Sequence, residues 1–152
     1  MTSPQRRKGR TRFIATGGVR EYRATIDEWV RPEDAVLEIG CEWGTTSVLL
    51  APRCQSLIAT DLSPDCIARA RDTHPGIRFE VLDGFDVRAA LEFGVDFSKI
   101  YIDISGLSGY RALLDGVALL NSYATVFRPE AIIIKSGSLK SFLSRCSVPG
   151  TS

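Results

Sequence analysis

Histidine and closely spaced cysteines are scarce in this sequence. It contains one histidine, His74, and four cysteines, none of which forms a CxxC pair. A zinc site built from Cys and His would have few available ligands, and we predict no bound metal. No secretory hydrophobic segment follows Met1, which disfavours a disulfide-stabilised secreted domain. We expect reduced cysteines and a cytoplasmic protein.

Long apolar runs are also missing. A membrane-spanning helix needs ~18 consecutive apolar residues, whereas the longest apolar runs here are as short as residues 131–134. No Gly-Lys-Ser or Gly-Lys-Thr of a P-loop is present either. Membrane proteins and nucleotide triphosphatases are therefore disfavoured. The 152 residues, 44% apolar and 24% charged, are ordinary for one globular domain that needs no metal or disulfide.

Acidic residues are rare at the N-terminus. Residues 1–23 contain seven Arg and Lys side chains and only Glu21 as an acid, so they contribute +6 while the rest of the chain carries −5. Such a segment is typical of a solvated tail, of a contact with nucleic acid or an acidic partner, or of a targeting peptide. We expect residues 1–18 to be a basic, flexible tail, residues 19–146 to form the domain and residues 147–152 to be a loop.

Apolar runs and helical patterns alternate along the rest of the chain. Strands are predicted at 35–39, 56–60, 77–82, 99–104 and 131–135, and helices at 21–30, 45–51, 63–73, 85–92, 109–123 and 138–145. This alternation predicts an α/β domain in which a parallel sheet has helices on both faces, a three-layer doubly wound fold.

Glycines and acids follow the first three predicted strands. Gly40 and Gly44 lie after the first, Asp61 ends the second and Asp83 ends the third. In open α/β sheets ligands bind at the carboxyl ends of strands, and an acid after the second strand can accept hydrogen bonds from ribose hydroxyls. A nucleoside-type ligand is therefore predicted. A dinucleotide-binding motif would need glycine at positions 42 and 45, whereas this chain has Glu42 and Thr45. A dinucleotide ligand is therefore disfavoured.

Three segments together resemble class I S-adenosylmethionine-dependent methyltransferases. Residues 36–44, with Glu38, Gly40 and Gly44, resemble the first motif of that family; residues 58–63 resemble the second and residues 79–84 the third. The resemblance implies a Rossmann-like sheet with strand order 3-2-1-4-5, methyltransferase activity and S-adenosylmethionine as cofactor. The residues that it places at the cofactor are Glu38, Gly40, Cys41, Glu42, Gly44, Asp61, Leu62, Asp83 and Gly84.

Two features depart from that family. Many members have glycine at position 42, where the carboxylate of Glu42 could instead pair with the amino group of the cofactor or point to water. The family sheet also usually ends in an antiparallel hairpin beside strand five, which this sequence lacks. A bare strand-five edge must be covered by a loop or a partner chain, and a homodimer through that edge is expected.

Asp103 and Lys135 end neighbouring predicted strands at the acceptor side. This pair resembles the central Asp and Lys of RNA ribose 2′-O-methyltransferases, which would make both residues catalytic, with Lys135 deprotonating or orienting a hydroxyl. The alternative is an ordinary ion pair at the end of the sheet. The acceptor, whether small molecule, protein or RNA, stays open. A non-catalytic or truncated cofactor-binding, methyltransferase-like interaction domain is the alternative function.

Overall fold

The computed structural model describes residues 9–104 and 110–150. The strands are β1 (Arg12–Thr16), β2 (Ala35–Ile39), β3 (Ser56–Asp61), β4 (Arg78–Val81), β5 (Lys99–Ile102) and β6 (Ala131–Lys135). The helices are α1 (Val19–Trp29), α2 (Ser47–Leu50), α3 (Pro64–Thr73), α4 (Val87–Leu91), α5 (Tyr110–Phe127) and α6 (Gly137–Leu143). Every predicted element is present, with shifted ends; residue 109, the predicted first residue of α5, lies outside the described part.

The strands form one parallel sheet with the order β1-β6-β5-β2-β3-β4. The five predicted strands are β2 to β6, and their arrangement confirms the order 3-2-1-4-5. Every strand is followed by a helix, and the helices after β1 to β5 return the chain to the amino edge of the sheet, as parallel pairing requires. No strand follows β6 in the described chain, where residues 144–150 belong to no helix or strand.

Strand β1 corrects two of our expectations. Arg12–Thr16 pairs with Ala131–Lys135 in parallel register, so these five residues belong to the sheet and not to a flexible tail. The edge of β6 is thereby covered by the chain itself, which removes the reason for expecting a homodimer there. The segment Phe13–Thr16 becomes more buried toward Thr16 and carries no charge after Arg12, which suits a strand despite the basic residues before it. Residues 1–8 of the predicted tail lie outside the described part.

Helices cover both faces of the sheet. Val36, Tyr101 and Ile133 pack under α1, and Ala59 and Phe79 continue that face under α3. On the opposite face the side chains of alternate residues pack against helices α4 to α6; these are Leu37, Ile39, Ile100, Ile102, Ile132 and Ile134. This two-sided burial explains why the strands read as nearly continuous apolar runs.

Local signals set the beginnings of several helices. Ser63 caps α3 by accepting a hydrogen bond from Cys66 N at 3.2 Å, with Pro64 in the first turn. Asp86 and Ser136 cap α4 and α6 in the same way. Helix α2 is shorter than predicted, because a 3₁₀ turn containing Pro52 continues it at Ala51–Arg53. None of the helices in the described ranges is long and apolar enough to span a membrane.

Candidate cofactor and acceptor site

Because all six strands are parallel, their carboxyl ends meet at one edge of the sheet. The loop after β2 turns sharply there: Gly40 has φ 87° and Gly44 has φ 88°. A Cβ on Gly40 would lie 1.8 Å from the carbonyl oxygen of Asp103, and one on Gly44 would lie 2.9 Å from the Phe79 ring. Both positions therefore need glycine for conformation and for space. The loop backbone lies directly against the end of β5.

Glu42 adopts the left-handed conformation as well, with φ 51°. Its backbone N–H donates to Asp61 Oδ2 at 2.9 Å, while Asp61 Oδ1 accepts from Ser63 N at 2.9 Å. Asp61 thus ties the glycine loop to the start of α3. The side chain of Glu42 is exposed, and a non-glycine residue in this conformation is uncommon.

Glu38 lies beneath the loop and not at its surface. It is 2% exposed, and Ser47 Oγ donates to its Oε2 at 2.5 Å. Burial raises the pKa of Glu38 to about 7, an effect that the Ser47 hydrogen bond opposes and the charge of Asp103 reinforces. The predicted cofactor residue is therefore a buried carboxyl group that supports the loop from below.

The segment after β4, the third predicted strand, is open to solvent. Asp83 is exposed, and its Oδ1 accepts from Phe85 N at 2.9 Å. A Cβ on Gly84 would lie 2.6 Å from Ile39 Cγ2, so a larger residue would disturb the packing against β2. Leu62, after β3, is 66% exposed and Phe85 is 48% exposed. These two side chains offer apolar surface beside the carboxylate of Asp83.

Cys41 and Trp43 complete the loop. Cys41 is buried, and burial raises the pKa of its thiol far above the usual range, so it stays protonated and is a poor nucleophile. Trp43 is 44% exposed and the guanidinium of Arg69 lies 3.8 Å from the centre of its ring. That stacking holds the indole on α3, at the rim of the loop.

Asp103 and Lys135 do meet, as their places at the ends of β5 and β6 predicted. Lys135 Nζ lies 2.8 Å from Asp103 Oδ1, with the side chains 30% and 19% exposed. The pair lies next to the glycine loop, since Gly40 packs against the Asp103 backbone. A partly buried lysine ammonium held by a carboxylate can hydrogen-bond an oxygen or nitrogen that approaches from solvent.

Sequence reasoning missed two polar residues of this region, Tyr22 and Ser47. Tyr22 lies within the helix predicted at 21–30, and it is completely buried with its ring against Tyr101 of β5. Ser47 belongs to no sequence motif. It matters here because it donates a hydrogen bond to the buried carboxyl group of Glu38. No spacing in the sequence reports such a pairing, because it depends on how α1 and α2 pack on the sheet.

The comparisons with known proteins agree with this geometry. Residues 36–105, which run from β2 to just beyond β5, match the methyltransferase-domain family. This range includes the glycine loop, Asp61, Asp83 and Asp103. A search of curated protein sequences gives no significant match.

Several solved structures share the fold. DesVI from Streptomyces venezuelae is 23% identical, with a TM-score of 0.56 over 74% of this chain and 50% of its own. CalS10 from Micromonospora echinaspora, an amino pentose methyltransferase solved with S-adenosylmethionine, is 22% identical, with a TM-score of 0.53 over 70% and 44%. A TehB-like methyltransferase from Corynebacterium glutamicum is 20% identical, with a TM-score of 0.56 over 74% and 60%. The chain thus spans about half the length of these structures, and the likeness concerns the fold.

Proposed function

We propose that this chain is a class I S-adenosylmethionine-dependent methyltransferase, which binds S-adenosylmethionine and transfers a methyl group to an acceptor. The match of residues 36–105 to the methyltransferase-domain family and the shared fold support this proposal. The observation that carries the proposal is the convergence of the Gly40–Gly44 loop, Asp61 and Asp83 at one edge, with the Asp103–Lys135 pair beside them.

The residues at this edge suit that cofactor. The backbone of the Gly40–Gly44 loop can approach a ligand closely because Gly40 and Gly44 carry no Cβ. In this proposal Asp61 accepts hydrogen bonds from ribose hydroxyls and Asp83 from a donor on adenine. The exposed side chains of Leu62 and Phe85 offer apolar surface nearby. The carboxylate of Glu42 adds negative charge, which favours a cationic ligand over a pyrophosphate.

The reaction would be an in-line displacement at a sulfonium methyl group, for which the bound cofactor supplies both methyl and leaving group. The protein contributes positioning and exclusion of water. In this proposal Lys135 orients the attacking atom of the acceptor, and the carboxylate of Asp103 holds the ammonium of Lys135 at the site until the acceptor binds. Small molecules, proteins and RNA all provide such an acceptor, and the pair suits a hydroxyl group.

Calorimetric titration with S-adenosylmethionine tests the cofactor site. We expect saturable micromolar binding and a loss of about 1–3 kcal/mol in Asp61→Ala, because a charge-assisted hydrogen bond is removed. Asp72→Ala is the matched control, since Asp72 is an exposed carboxylate on α3; its affinity should not change. Absence of binding at millimolar cofactor by folded protein would refute the proposal.

A non-catalytic cofactor-binding domain is the second candidate function. It is favoured if Asp103 and Lys135 form only an ordinary ion pair at the end of the sheet, with 2.8 Å between Nζ and Oδ1. A labelled-methyl screen over small molecules, proteins and RNA separates the two candidates. Methyl transfer that Lys135→Ala reduces at unchanged cofactor affinity supports the enzyme, whereas tight binding without transfer to any acceptor class supports the binding domain. Full turnover by Lys135→Ala would leave the enzyme intact but remove the role of Lys135.

A further inference from the structure

Tyr22 carries a buried hydroxyl group without a hydrogen-bond partner among the residues that the structure describes. The side chain is 0% exposed, and its ring packs edge-on against Tyr101 with 5.4 Å between the centroids. Two other buried tyrosines are satisfied: Tyr101 pairs with Thr25 Oγ1 at 3.0 Å and Tyr123 donates to the carbonyl of Gly84 at 2.9 Å. Unpaired buried hydroxyls are rare in folded proteins because each has lost its hydration without replacement.

The register of the sheet shows which groups surround this hydroxyl. Glu38 pairs with Tyr101 across β2 and β5, and Asp103 lies two residues beyond Tyr101, on the same face. On β6, Ile133 pairs with Tyr101. Lys135 lies two residues beyond Ile133 and therefore on the same face. The face covered by α1 therefore carries Glu38, Asp103 and Lys135 around the position where Tyr22 packs.

The electrostatics agree with that placement. Burial raises the pKa of Tyr22 well above its usual value, and the charges of Glu38 and then Asp103 raise it further. The phenol is therefore protonated and can act as a donor. Of the two carboxylates, Glu38 already accepts a hydrogen bond from Ser47.

Asp103 is the carboxylate that lacks a hydrogen bond. Its Oδ1 is buried and has no partner with hydrogen-bond geometry in the described part of the chain, although Lys135 Nζ lies 2.8 Å away as an ionic contact. A donor on α1 without a partner and a carboxylate oxygen just after β5 whose contact with Lys135 is ionic thus face the same small region.

We propose that Tyr22 is a positioning residue for Asp103, whose Oδ1 accepts a hydrogen bond from the Tyr22 hydroxyl when Lys135 leaves the carboxylate to contact an acceptor. The exchange moves no proton and breaks no covalent bond. It keeps the carboxylate of Asp103 partnered and oriented while the ammonium of Lys135 is engaged elsewhere. The link to the acceptor rests on the proposed function, whereas the hydrogen bond itself does not.

Removal of the lysine tests the exchange without any ligand. Thermal unfolding is measured for the wild type, Tyr22→Phe, Lys135→Met and the double variant. In the wild type, Tyr22→Phe should leave the midpoint unchanged or raise it by about 1–3 °C, because an unpaired hydroxyl is removed. In Lys135→Met the same change should lower the midpoint by about 2–4 °C, because Asp103 then loses its remaining donor.

Tyr123→Phe is the matched control. Its hydroxyl has a partner in Gly84, so this change should lower the midpoint equally in both backgrounds. Equal effects of Tyr22→Phe with and without Lys135 would overturn the proposal. If Lys135→Met does not fold, Lys135→Leu provides the second background without a donor.

A spectroscopic measurement keeps the two proposals separate. In protein labelled with ¹³Cζ-tyrosine, the Tyr22 signal should move downfield in Lys135→Met and return in Lys135→Met with Asp103→Asn. An unmoved signal overturns the hydrogen bond. Failure to bind S-adenosylmethionine, by contrast, would overturn the proposed function and leave both of these ligand-free results standing.

Discussion

Ser47 Oγ donates to Glu38 Oε2 across 2.5 Å in the interior of the molecule. This bond joins the first turn of α2 to the end of β2, on either side of the glycine loop. Both groups are almost fully buried, so a water molecule cannot take the place of either partner in this hydrogen bond. The conformation of the loop therefore depends on a carboxyl group that no ligand needs to touch.

The stability of the protein should depend on the protonation of Glu38. Its folded-state pKa of about 7 lies above the ordinary value of 4.5, so the folded state binds the proton more tightly than the unfolded state. The stabilisation is complete below about pH 4.5 and is lost as the pH rises through 7, by roughly 2–3 kcal/mol. Urea unfolding of the wild type and Glu38→Gln between pH 5 and 8 measures this; the stability of the wild type relative to Glu38→Gln should fall with rising pH. A constant difference would contradict the assignment.

Gly40 should not tolerate a side chain. Gly40→Ala introduces a Cβ 1.8 Å from the Asp103 carbonyl at φ 87°, which forces β2 and β5 apart or flips the loop. We expect a loss of at least ~2–3 kcal/mol in stability and of cofactor binding. Gly76→Ala is the control, because nothing lies within 4 Å of its Cβ position. Circular dichroism and calorimetry distinguish the two variants, and equal behaviour would show that the loop adapts.

Lys99 should be essential for stability. It is 1% exposed, and Nζ contacts Asp34 Oδ2 and Glu130 Oε2 at 2.9 Å each, at the amino edge of the sheet. Lys99→Met leaves Asp34 buried without this counter-charge, and we expect a loss of ~3–5 kcal/mol. Lys140→Met removes an exposed pair with Glu21 and should change the free energy of unfolding by less than ~1 kcal/mol. Denaturant unfolding compares them, and similar losses would be evidence against the burial argument.

Replacement of Glu42 by glycine should relieve backbone strain. Glu42 has φ 51°, a conformation that favours glycine, and the gain should be up to ~1 kcal/mol. The backbone N–H that donates to Asp61 is retained in Glu42→Gly. Affinity for S-adenosylmethionine, measured in parallel, decides the role of the carboxylate: weaker binding despite higher stability indicates a contact with the cofactor, and unchanged binding indicates a side chain in solvent.

The central sheet was predictable because its signals are local. Apolar runs such as residues 131–135, separated by the glycines and acids that end each strand, identify five strands and their order through the family resemblance. The loop at Gly40 and the meeting of Asp103 with Lys135 follow from parallel strands ending at one edge. These are properties of sequence spacing and strand direction.

Strand β1 and the role of Tyr22 were not predictable in that way. Residues 12–16 follow a basic segment, and their partner β6 lies more than a hundred residues later in the sequence. Tyr22 has the helical spacing of a core residue and is in fact in the core. Its hydroxyl becomes significant only through the carboxylates that the sheet places opposite it, which is a tertiary relationship.

The pairing of β1 with β6 also sets an order for folding during synthesis. Thr16 Oγ1 donates to the carbonyl of Ile134, a contact separated by 118 positions. Strand β1 must therefore wait until β6 has been made. Until then Phe13 and Ile14 lack their place on the sheet, and β1 exposes apolar surface to the solvent. Chaperones that bind short apolar segments would have access to β1 during this interval.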